Sequence, residues 1–287
     1  MKTNLNFLAA ALTVLAATSC QKNQYCEAGM PAQVTFSVCG GLDIGVNTKA
    51  GVSPVTSLSA FNVTATSGAA GSEKNEWDCI PFSREDGSNV YKGGKYWPDS
   101  EVAYHFYASN AEITYSPEGC TVMSDGSADT VCAFNPDPVY GTQNTLAFEH
   151  ILARIGKVTV NTQEGYEISD VKVSIDCPTG GKFNMRTGSG KTDGTGWTKD
   201  KASKIGLETG DNDVYVVPGT YVISVSYVLK RDAWTGSFEK SASVGIVGGR
   251  INNIIGTATG GKASDISFDI SVAEWGNNDI NTVWDAQ

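Results

Sequence analysis

The feature that most constrains the fold is a set of segments in which apolar and polar residues alternate. Successive side chains of a β-strand point to opposite faces, so such a segment places its apolar residues on one face. The longest run carries Tyr221, Ile223, Val225, Tyr227 and Leu229, and shorter runs cover residues 34–38, 102–108, 171–175 and 266–272. Gly- and Pro-containing turn sequences separate the runs, and one of them, Pro218-Gly219, comes directly before Tyr221. We therefore predict an all-β chain, with Pro218-Gly219 as a tight turn between antiparallel strands.

The composition agrees with this fold class and argues against a nucleic-acid partner. The chain contains 32 Gly and 9 Pro, a mixture that suits many short strands joined by turns. Without Lys2, it has 20 basic and 31 acidic side chains, which give a formal net charge of −11. An acidic surface repels the phosphate backbone of nucleic acids. We expect no nucleic-acid partner.

The N-terminus has the pattern of an export signal. Residues 7–17 form an apolar run that is too short to span a bilayer as a stable helix. Ala17-Thr18-Ser19-Cys20 follows and resembles the lipobox of bacterial lipoproteins, in which the Cys thiol is acylated and the signal is cut just before it. The resemblance implies a signal peptide over residues 1–19 and lipid attachment to Cys20, with anchoring in the outer membrane. The alternative is an ordinary secretory signal that contains a cysteine.

The length of the remaining chain indicates two domains. About 267 residues follow Cys20, more than one two-sheet sandwich normally needs. Residues 134–142 contain two prolines and a glycine and look like a connector. We predict a linker with a candidate releasable strand over residues 20–49, a first β-sandwich over 50–145 and a second over 146–287. Residues 180–210, rich in Gly, Thr, Ser and Lys, are predicted to form a long surface excursion.

Four segments of the mature chain resemble a known family. They are residues 34–50, ending in Asn47-Thr48-Lys49-Ala50; residues 95–108, with a Trp-Pro turn; residues 146–154; and the segments that begin at Pro218, Gly248 and Ile266. In this order, after a lipoprotein signal, they are similar to the fimbrillin-type proteins of Bacteroides-like bacteria, the subunits of type V pili. The resemblance implies two tandem transthyretin-like β-sandwiches and a role in an adhesive surface fimbria.

The resemblance also implies assembly by strand exchange. A cut between Lys49 and Ala50 would release the strand that carries Val34, Phe36 and Val38, and a strand from a neighbouring pilin subunit would fill the groove. The candidate donor is the C-terminal tail, in which Ile280, Thr282 and Trp284 alternate with other residues. The family junction usually carries Arg, which a protease specific for Arg distinguishes from Lys49. The alternative is that the tail completes its own domain and residues 34–38 stay in place.

A competing hypothesis is a monomeric surface lipoprotein that binds a glycan or a protein. In it, Trp197 and Trp234 would lie in exposed loops as stacking platforms. The remaining hypothesis, an exported hydrolase, lacks an identifiable acid/base pair, and His105 and His150 are interpreted as structural. We therefore predict no enzymatic activity, catalytic residue, metal site or cofactor. The sequence does not identify the adhesion ligand.

Cysteines and short motifs add little chemistry. Six cysteines remain beyond Cys20, and they can pair in 15 ways. Cys120 and Cys132 flank a Gly/Ser/Asp loop and are the candidate pair; free buried thiols are the alternative. Residues 188–192 (GSGKT) lack the first glycine of a phosphate loop and are interpreted as a flexible loop. Residues 62–64 and 129–131 resemble glycan acceptor sites.

Overall fold

The strands of the first half of the chain follow one another with short connections. A computed structural model describes residues 32–39, 58–69, 71–84, 88–97, 101–186, 190–259 and 265–274. The ten strands before residue 151 are β1 (Gln33–Cys39), β2 (Ala60–Ser67), β3 (Lys74–Arg84), β4 (Tyr91–Tyr96), β5 (Tyr104–Ser109), β6 (Ile113–Thr114), β7 (Thr121–Ser124), β8 (Val131–Asn135), β9 (Gln143–Ala147) and β10 (Glu149–His150).

The second half is also built of strands, with one four-residue helix. These elements are β11 (Ala153–Thr162), β12 (Glu167–Cys177), β13 (Gly181–Asn184), α1 (Gly190–Asp193), β14 (Trp197–Lys199), β15 (Ser203–Leu207), β16 (Gly210–Val216), β17 (Gly219–Arg231), β18 (Trp234–Ile246), β19 (Arg250–Thr259) and β20 (Asp265–Glu274). The all-β prediction is confirmed.

One eight-stranded sheet contains most of the first half of the chain, in the order β10-β8-β5-β2-β3-β4-β1-β9. Its two edge strands, β9 and β10, are separated in sequence by Phe148 alone, so the sheet must curl until its edges approach each other. The curled sheet encloses a core rich in aromatic side chains, among them Phe36, Phe61, Phe82 and Phe106. Phe148 is wholly buried in the same core.

Two four-stranded sheets enclose the core of the second half. Their orders are β16-β11-β19-β20 and β15-β12-β17-β18, and apolar side chains of both sheets share one cluster. Ile223, Val225, Tyr227 and Leu229 of β17 are all buried, which confirms the predicted alternation. The turn prediction for Pro218-Gly219 is wrong, because β16 and β17 belong to different sheets and do not pair. This turn carries the chain from one sheet to the facing one.

A smaller sheet, β14-β13-β7-β6, takes strands from both halves of the chain. β7 pairs with β13 from Thr121 opposite Asn184 to Ser124 opposite Gly181. The predicted surface excursion over residues 180–210 is therefore wrong in its described part, which supplies β13 and β14 to this sheet. Phe183, Met185 and Trp197 from this segment are buried in a third apolar cluster.

The predicted boundary between residues 145 and 146 lies inside β9. The third apolar cluster also combines side chains from both sides of that position, such as Tyr107 and Cys120 with Phe183 and Tyr215. The described residues belong to one compact unit that begins at Ala32. The division into two sandwich domains stays a prediction.

Candidate functional site

The first strand lies between two strands from distant parts of the chain. β1 pairs antiparallel with β4 and parallel with β9. In the parallel pairing, Thr35 lies opposite Gln143 and Cys39 lies opposite Ala147. Because β4 and β9 pair with β1 and not with each other, β1 is the strand that joins β9 to the rest of this sheet.

Two of the three inward side chains of β1 are fully buried, as its alternation predicts. Val34 and Phe36 have no exposed surface, and Val38 is half-buried and packs against the same core. The outward Ser37 hydroxyl lies 3.0 Å from the Thr145 hydroxyl of β9. The predicted site residues Val34, Phe36 and Val38 therefore lie together on one face of one strand.

Phe36 contacts three other rings in the core. Its ring centroid lies 4.9 Å from that of Phe82, 5.0 Å from that of Phe106 and 6.2 Å from that of Phe61. Edge-on and tilted ring pairs of this kind add to the burial energy of each side chain. A methyl group added to Gly93 of β4 would lie 2.6 Å from the Phe82 ring, so this glycine makes room for the aromatic cluster.

Hydrogen bonds also hold β1 at both of its ends. The Trp97 N–H donates to the Ala32 carbonyl at 2.8 Å, and the Phe148 N–H donates to the Cys39 carbonyl at 3.0 Å. If β1 left, the backbone groups of β4 and β9 that it now pairs would lose their partners. An unpaired sheet edge above an apolar groove is a template for another strand.

The other predicted site residues lie outside the described residues. These are Cys20, the junction residues Lys49 and Ala50, and the tail residues Ile280, Thr282 and Trp284. Of the two aromatic platforms, Trp197 is buried, so its predicted exposure is wrong; Trp234 is 45% exposed and lies at the start of β18.

A buried carboxylate that sequence reasoning missed joins strands from the two halves of the chain. Glu73 is 2% exposed, and its carboxylate accepts hydrogen bonds from the Thr66 hydroxyl at 2.7 Å and the Tyr107 hydroxyl at 3.1 Å. Arg186, two residues after β13, forms an ion pair with it. Burial raises the pKa of Tyr107, so its hydroxyl stays protonated and can donate. No local pattern signals this group, because its charged partner lies 113 residues away.

The two histidines have structural partners. Nδ1 of His150 lies 2.8 Å from Oδ2 of Asp129, and both side chains are buried. The His105 ring nitrogens lie 2.7 Å from the Pro136 carbonyl oxygen and 3.0 Å from that of Gly68.

Near His150, a second buried ion pair joins Arg154 Nε to Asp213 Oδ1 at 2.7 Å. Desolvation raises the pKa of Asp213, and the Arg154 charge opposes that effect. Asp213 is thus committed to a structural ion pair.

All five cysteines in the described part of the chain are free, so the predicted bridge between Cys120 and Cys132 is wrong. Cys120, Cys132 and Cys177 are buried, and burial raises the pKa of each thiol to about 12. Such thiols are unreactive at neutral pH.

The short motifs lie in structural positions. Lys191, from the glycine-rich segment, belongs to α1 and forms an ion pair with Glu149 of β10. In the pattern at residues 129–131, Thr130 is buried. In the pattern at residues 62–64, Asn62 is half-buried and its Nδ2 donates to the Ala111 carbonyl at 3.2 Å. Within the described ranges, no three His, Cys, Asp or Glu side chains are grouped as a metal site requires, and no helix has the length and apolar character to cross a membrane.

Two solved structures with TM-scores of 0.50 share the fold at low sequence identity. A candidate cell adhesion protein from Bacteroides eggerthii is 13% identical, with a TM-score of 0.50 over 86% of this chain and 97% of that one. A second, from Parabacteroides distasonis, is 10% identical, with a TM-score of 0.50 over 86% of this chain and 100% of that one. A fimbrial assembly protein from Parabacteroides distasonis is 10% identical, with a TM-score of 0.45 over 85% and 96% of the two chains.

Sequence comparison gives the family. None of the curated proteins compared with this chain matches it. The model of the fimbrillin-like family matches residues 48–275, a range that starts beside Lys49 and ends after β20. Because this range includes most of the sequence, the chain belongs to the fimbrillin-like family.

Proposed function

We propose that the protein is a structural subunit of an adhesive surface fimbria, and that subunits join by exchange of a strand at the position of β1. Membership of the fimbrillin-like family supports the fimbrial role. The observation that carries the exchange proposal is the place of β1 between β4 and β9, which do not pair with each other. Removal of β1 would leave a gap that one strand fills.

The energetics favour replacement of β1 over an empty gap. Full burial of a large apolar side chain contributes about 1.5–3 kcal/mol, so Val34 and Phe36 together contribute roughly 3–6 kcal/mol. An incoming strand that presents apolar side chains at alternate positions would recover this energy. It would also pair with the backbone groups of β4 and β9, as in other cases of β-strand addition.

The proposed release needs a cut between β1 and the next strand. Residues 40–57 lie between Cys39 and the first described residue after it, and this stretch contains Lys49 and Ala50. A cut there would separate β1 from the rest of the chain, after which only packing and hydrogen bonds would hold it. We propose Lys49-Ala50 as the processing junction.

The proposed donor is the segment with Ile280, Thr282 and Trp284. It follows β20, which pairs only with β19 among the described strands and is an edge strand of its sheet. Thirteen residues follow Glu274 in the sequence, and in extended form they reach roughly 40 Å. This length exceeds that of the seven-residue β1.

Export as a lipoprotein and the two-domain organisation complete the proposal. Cys20 would carry the lipid and hold the precursor in the outer membrane, and processing would then transfer the subunit to the fimbria. The two halves would act as tandem sandwiches, each with its own apolar core, joined by the mixed sheet β14-β13-β7-β6.

N-terminal sequencing of the mature protein from cells tests the proposal. A fimbrial subunit should begin at Ala50 and form ladders on electrophoresis without heating. Cys20→Ser should abolish labelling of the precursor by a palmitate analogue. A mature protein that still begins at lipidated Cys20 and runs as a monomer would support the second candidate, a monomeric surface lipoprotein with an exposed binding site. The exposure of Trp234 favours that candidate.

A further inference from the structure

The longest hairpin of the chain ends in an exposed turn with an aromatic side chain and a basic one. β17 and β18 pair along their whole length, and Arg231 lies opposite Trp234 at the end of the ladder. Asp232 begins the turn with a φ of 56°, a left-handed conformation that Asp tolerates better than most residues. Arg231 and Trp234 are both exposed.

Trp234 is the last member of a row of rings that leaves the core. Tyr227 is buried, its cross-strand neighbour Phe238 is half-buried, and Trp234 is 45% exposed. The ring centroids are 5.6 Å apart for Tyr227 and Phe238 and 6.1 Å apart for Phe238 and Trp234. The buried end of the row fixes its position, and the exposed end offers a flat apolar surface.

Gly236 lets the two outer rings approach each other. It lies between Trp234 and Phe238 on the same face of β18. A methyl group added to Gly236 would lie 2.8 Å from Phe238 and 2.9 Å from Trp234, too close for either ring to stay in place. The glycine is thus required for this ring arrangement.

Tyr166 holds the guanidinium of Arg231 beside the Trp234 ring. The Arg231 Cζ atom lies 5.2 Å from the centroid of the Tyr166 ring, and its Nη1 donates to the Tyr166 hydroxyl at 3.4 Å. The Tyr166 ring also meets the Trp234 ring at 88°, with 6.4 Å between centroids. A guanidinium has five N–H donors, and Tyr166 accepts from one of its nitrogens. Arg231 is therefore oriented and has donors left for an anionic group.

From this arrangement we propose that Trp234 and Arg231 form a binding site for a glycan whose sugar ring carries a carboxylate. The apolar C–H face of the pyranose stacks on the Trp234 ring. The carboxylate takes the paired N–H groups of Arg231, the geometry that makes arginine a good carboxylate binder. The two features therefore recognise two parts of one sugar.

A saccharide matches both features of this surface, whereas a peptide matches only one. An acidic peptide could pair with Arg231, but it lacks a flat C–H face for the Trp234 ring. This inference supplies the ligand class for the adhesive role proposed above and rests on that proposal for its biological use. Binding itself needs no assembly and is measured on the uncut monomer.

The test uses titration calorimetry on the uncut, monomeric protein. Two acidic probes, 3′-sialyllactose and a hyaluronan hexasaccharide, distinguish a sialic acid from a glucuronate as the source of the carboxylate. Lactose and chitohexaose are their neutral controls, and hexaglutamate represents an acidic peptide. At least one acidic saccharide should bind, and its neutral control should bind about tenfold more weakly or worse, the cost of a lost charge-assisted hydrogen bond.

Three variants locate the site. Trp234→Ala, Arg231→Gln and Gly236→Ala should each weaken binding of the acidic saccharide by about tenfold or more. Lys230→Gln is the matched control, because Lys230 is an exposed cation on the opposite face of the same strand, and it should leave affinity within about twofold. Circular dichroism checks the fold of each variant. If Trp234→Ala proves unstable, Arg231→Gln still tests the site, because it retains an exposed polar side chain at that position.

Several outcomes would overturn the inference. These are no binding of either acidic saccharide, equal binding of the neutral control, tighter binding of hexaglutamate, or unchanged binding in the folded Arg231 and Trp234 variants. None of them bears on whether β1 is exchanged. Conversely, a protein that never forms ladders can still bind the saccharide, so the two proposals fail separately.

Discussion

The ring of Phe36 meets the ring of Phe106 edge-on, with 5.0 Å between centroids and 89° between planes. Phe36 belongs to β1 and Phe106 to β5, and three strands separate these two in the order of the sheet. The contact therefore spans the interior of the curled sheet. It ties the first described strand to the far wall of the core.

We expect Phe36→Ala to lower the free energy of unfolding by about 3–5 kcal/mol, because it removes a wholly buried ring from the centre of an aromatic cluster. Thr35→Ala, at the outward neighbour, should cost less than about 1 kcal/mol. Urea unfolding followed by fluorescence measures both. If β1 is the exchanged strand, Phe36→Ala should also speed ladder formation after the cut. Equal stability of the two variants would show that Phe36 does not anchor the strand.

Arg186 and Glu73 provide a second test, now of the contact between the halves of the chain. Arg186→Met leaves the buried Glu73 carboxylate without its cation, and we expect a loss of about 3 kcal/mol in the free energy of unfolding. The double variant Arg186→Met with Glu73→Gln should recover part of that loss, since no charge is then left buried. Denaturant midpoints of the single and double variants measure the coupling. If the double variant is less stable than Arg186→Met, the unpaired Glu73 charge is not the main cause of the loss in the single variant.

Local alternation predicts strands and their buried faces, but it does not predict their neighbours. The burial of Val34 and Phe36, and of Ile223 and Val225, follows from the two-residue period of a strand. The parallel pairing of β1 with β9 does not, because it joins residues more than 100 positions apart and the backbone groups of all strands are alike.

For the candidate site, too, the sequence predicts which side chains share a face but not what they pack against. The alternation of Val34, Phe36 and Val38 predicts their shared face, while only the family resemblance implies their release. The Gly- and Thr-rich surroundings of Trp197 predict an exposed loop, and this prediction is wrong. Trp197 is buried because β13 and β14 pair with β7, a partner from the other half of the chain. Glu73 and Arg186 carry no local signal, since only the fold brings them together.

The cysteines should differ sharply in reactivity. Cys120, Cys132 and Cys177 are buried with a pKa of about 12, so at pH 8 only about one thiol in ten thousand is ionised. Cys39 is exposed and should react first. A short iodoacetamide pulse followed by peptide mass spectrometry should label Cys39 in the native protein and all of them in guanidinium. Rapid native labelling of Cys132 would contradict its burial.

The same thiols predict a loss of stability at alkaline pH. Each has a higher pKa folded than unfolded, where a thiol titrates near 8.5, so above that pH the unfolded chain releases protons that the folded chain retains. The contribution of these thiols to stability should be fully present below about pH 8. The free energy of unfolding should then fall by up to about 1.4 kcal/mol per thiol per pH unit between pH 9 and 12. Urea unfolding at several pH values measures the slope. Cys177→Ala should reduce the slope, whatever its effect on stability at pH 7; an unchanged slope would exclude Cys177 as a contributor.

Strand exchange predicts how a cut and a deletion affect assembly. Trypsin should cut after Lys49 before other sites, because the sequence Asn47-Thr48-Lys49-Ala50-Gly51 is typical of an exposed turn. The cut protein should then form ladders that resist detergent and dissociate on heating, since paired backbone groups and a buried apolar row would hold the subunits.

Deletion of residues 279–287 should leave the monomer folded and stop the ladder, because the acceptor gap would remain and the donor would be lost. A control that replaces Asn281 and Val283, which alternate with the proposed inward residues, with Ser should still form ladders. Ladders from the truncated protein would exclude the tail as donor, whereas unfolding of the truncated monomer would assign the tail to its own domain.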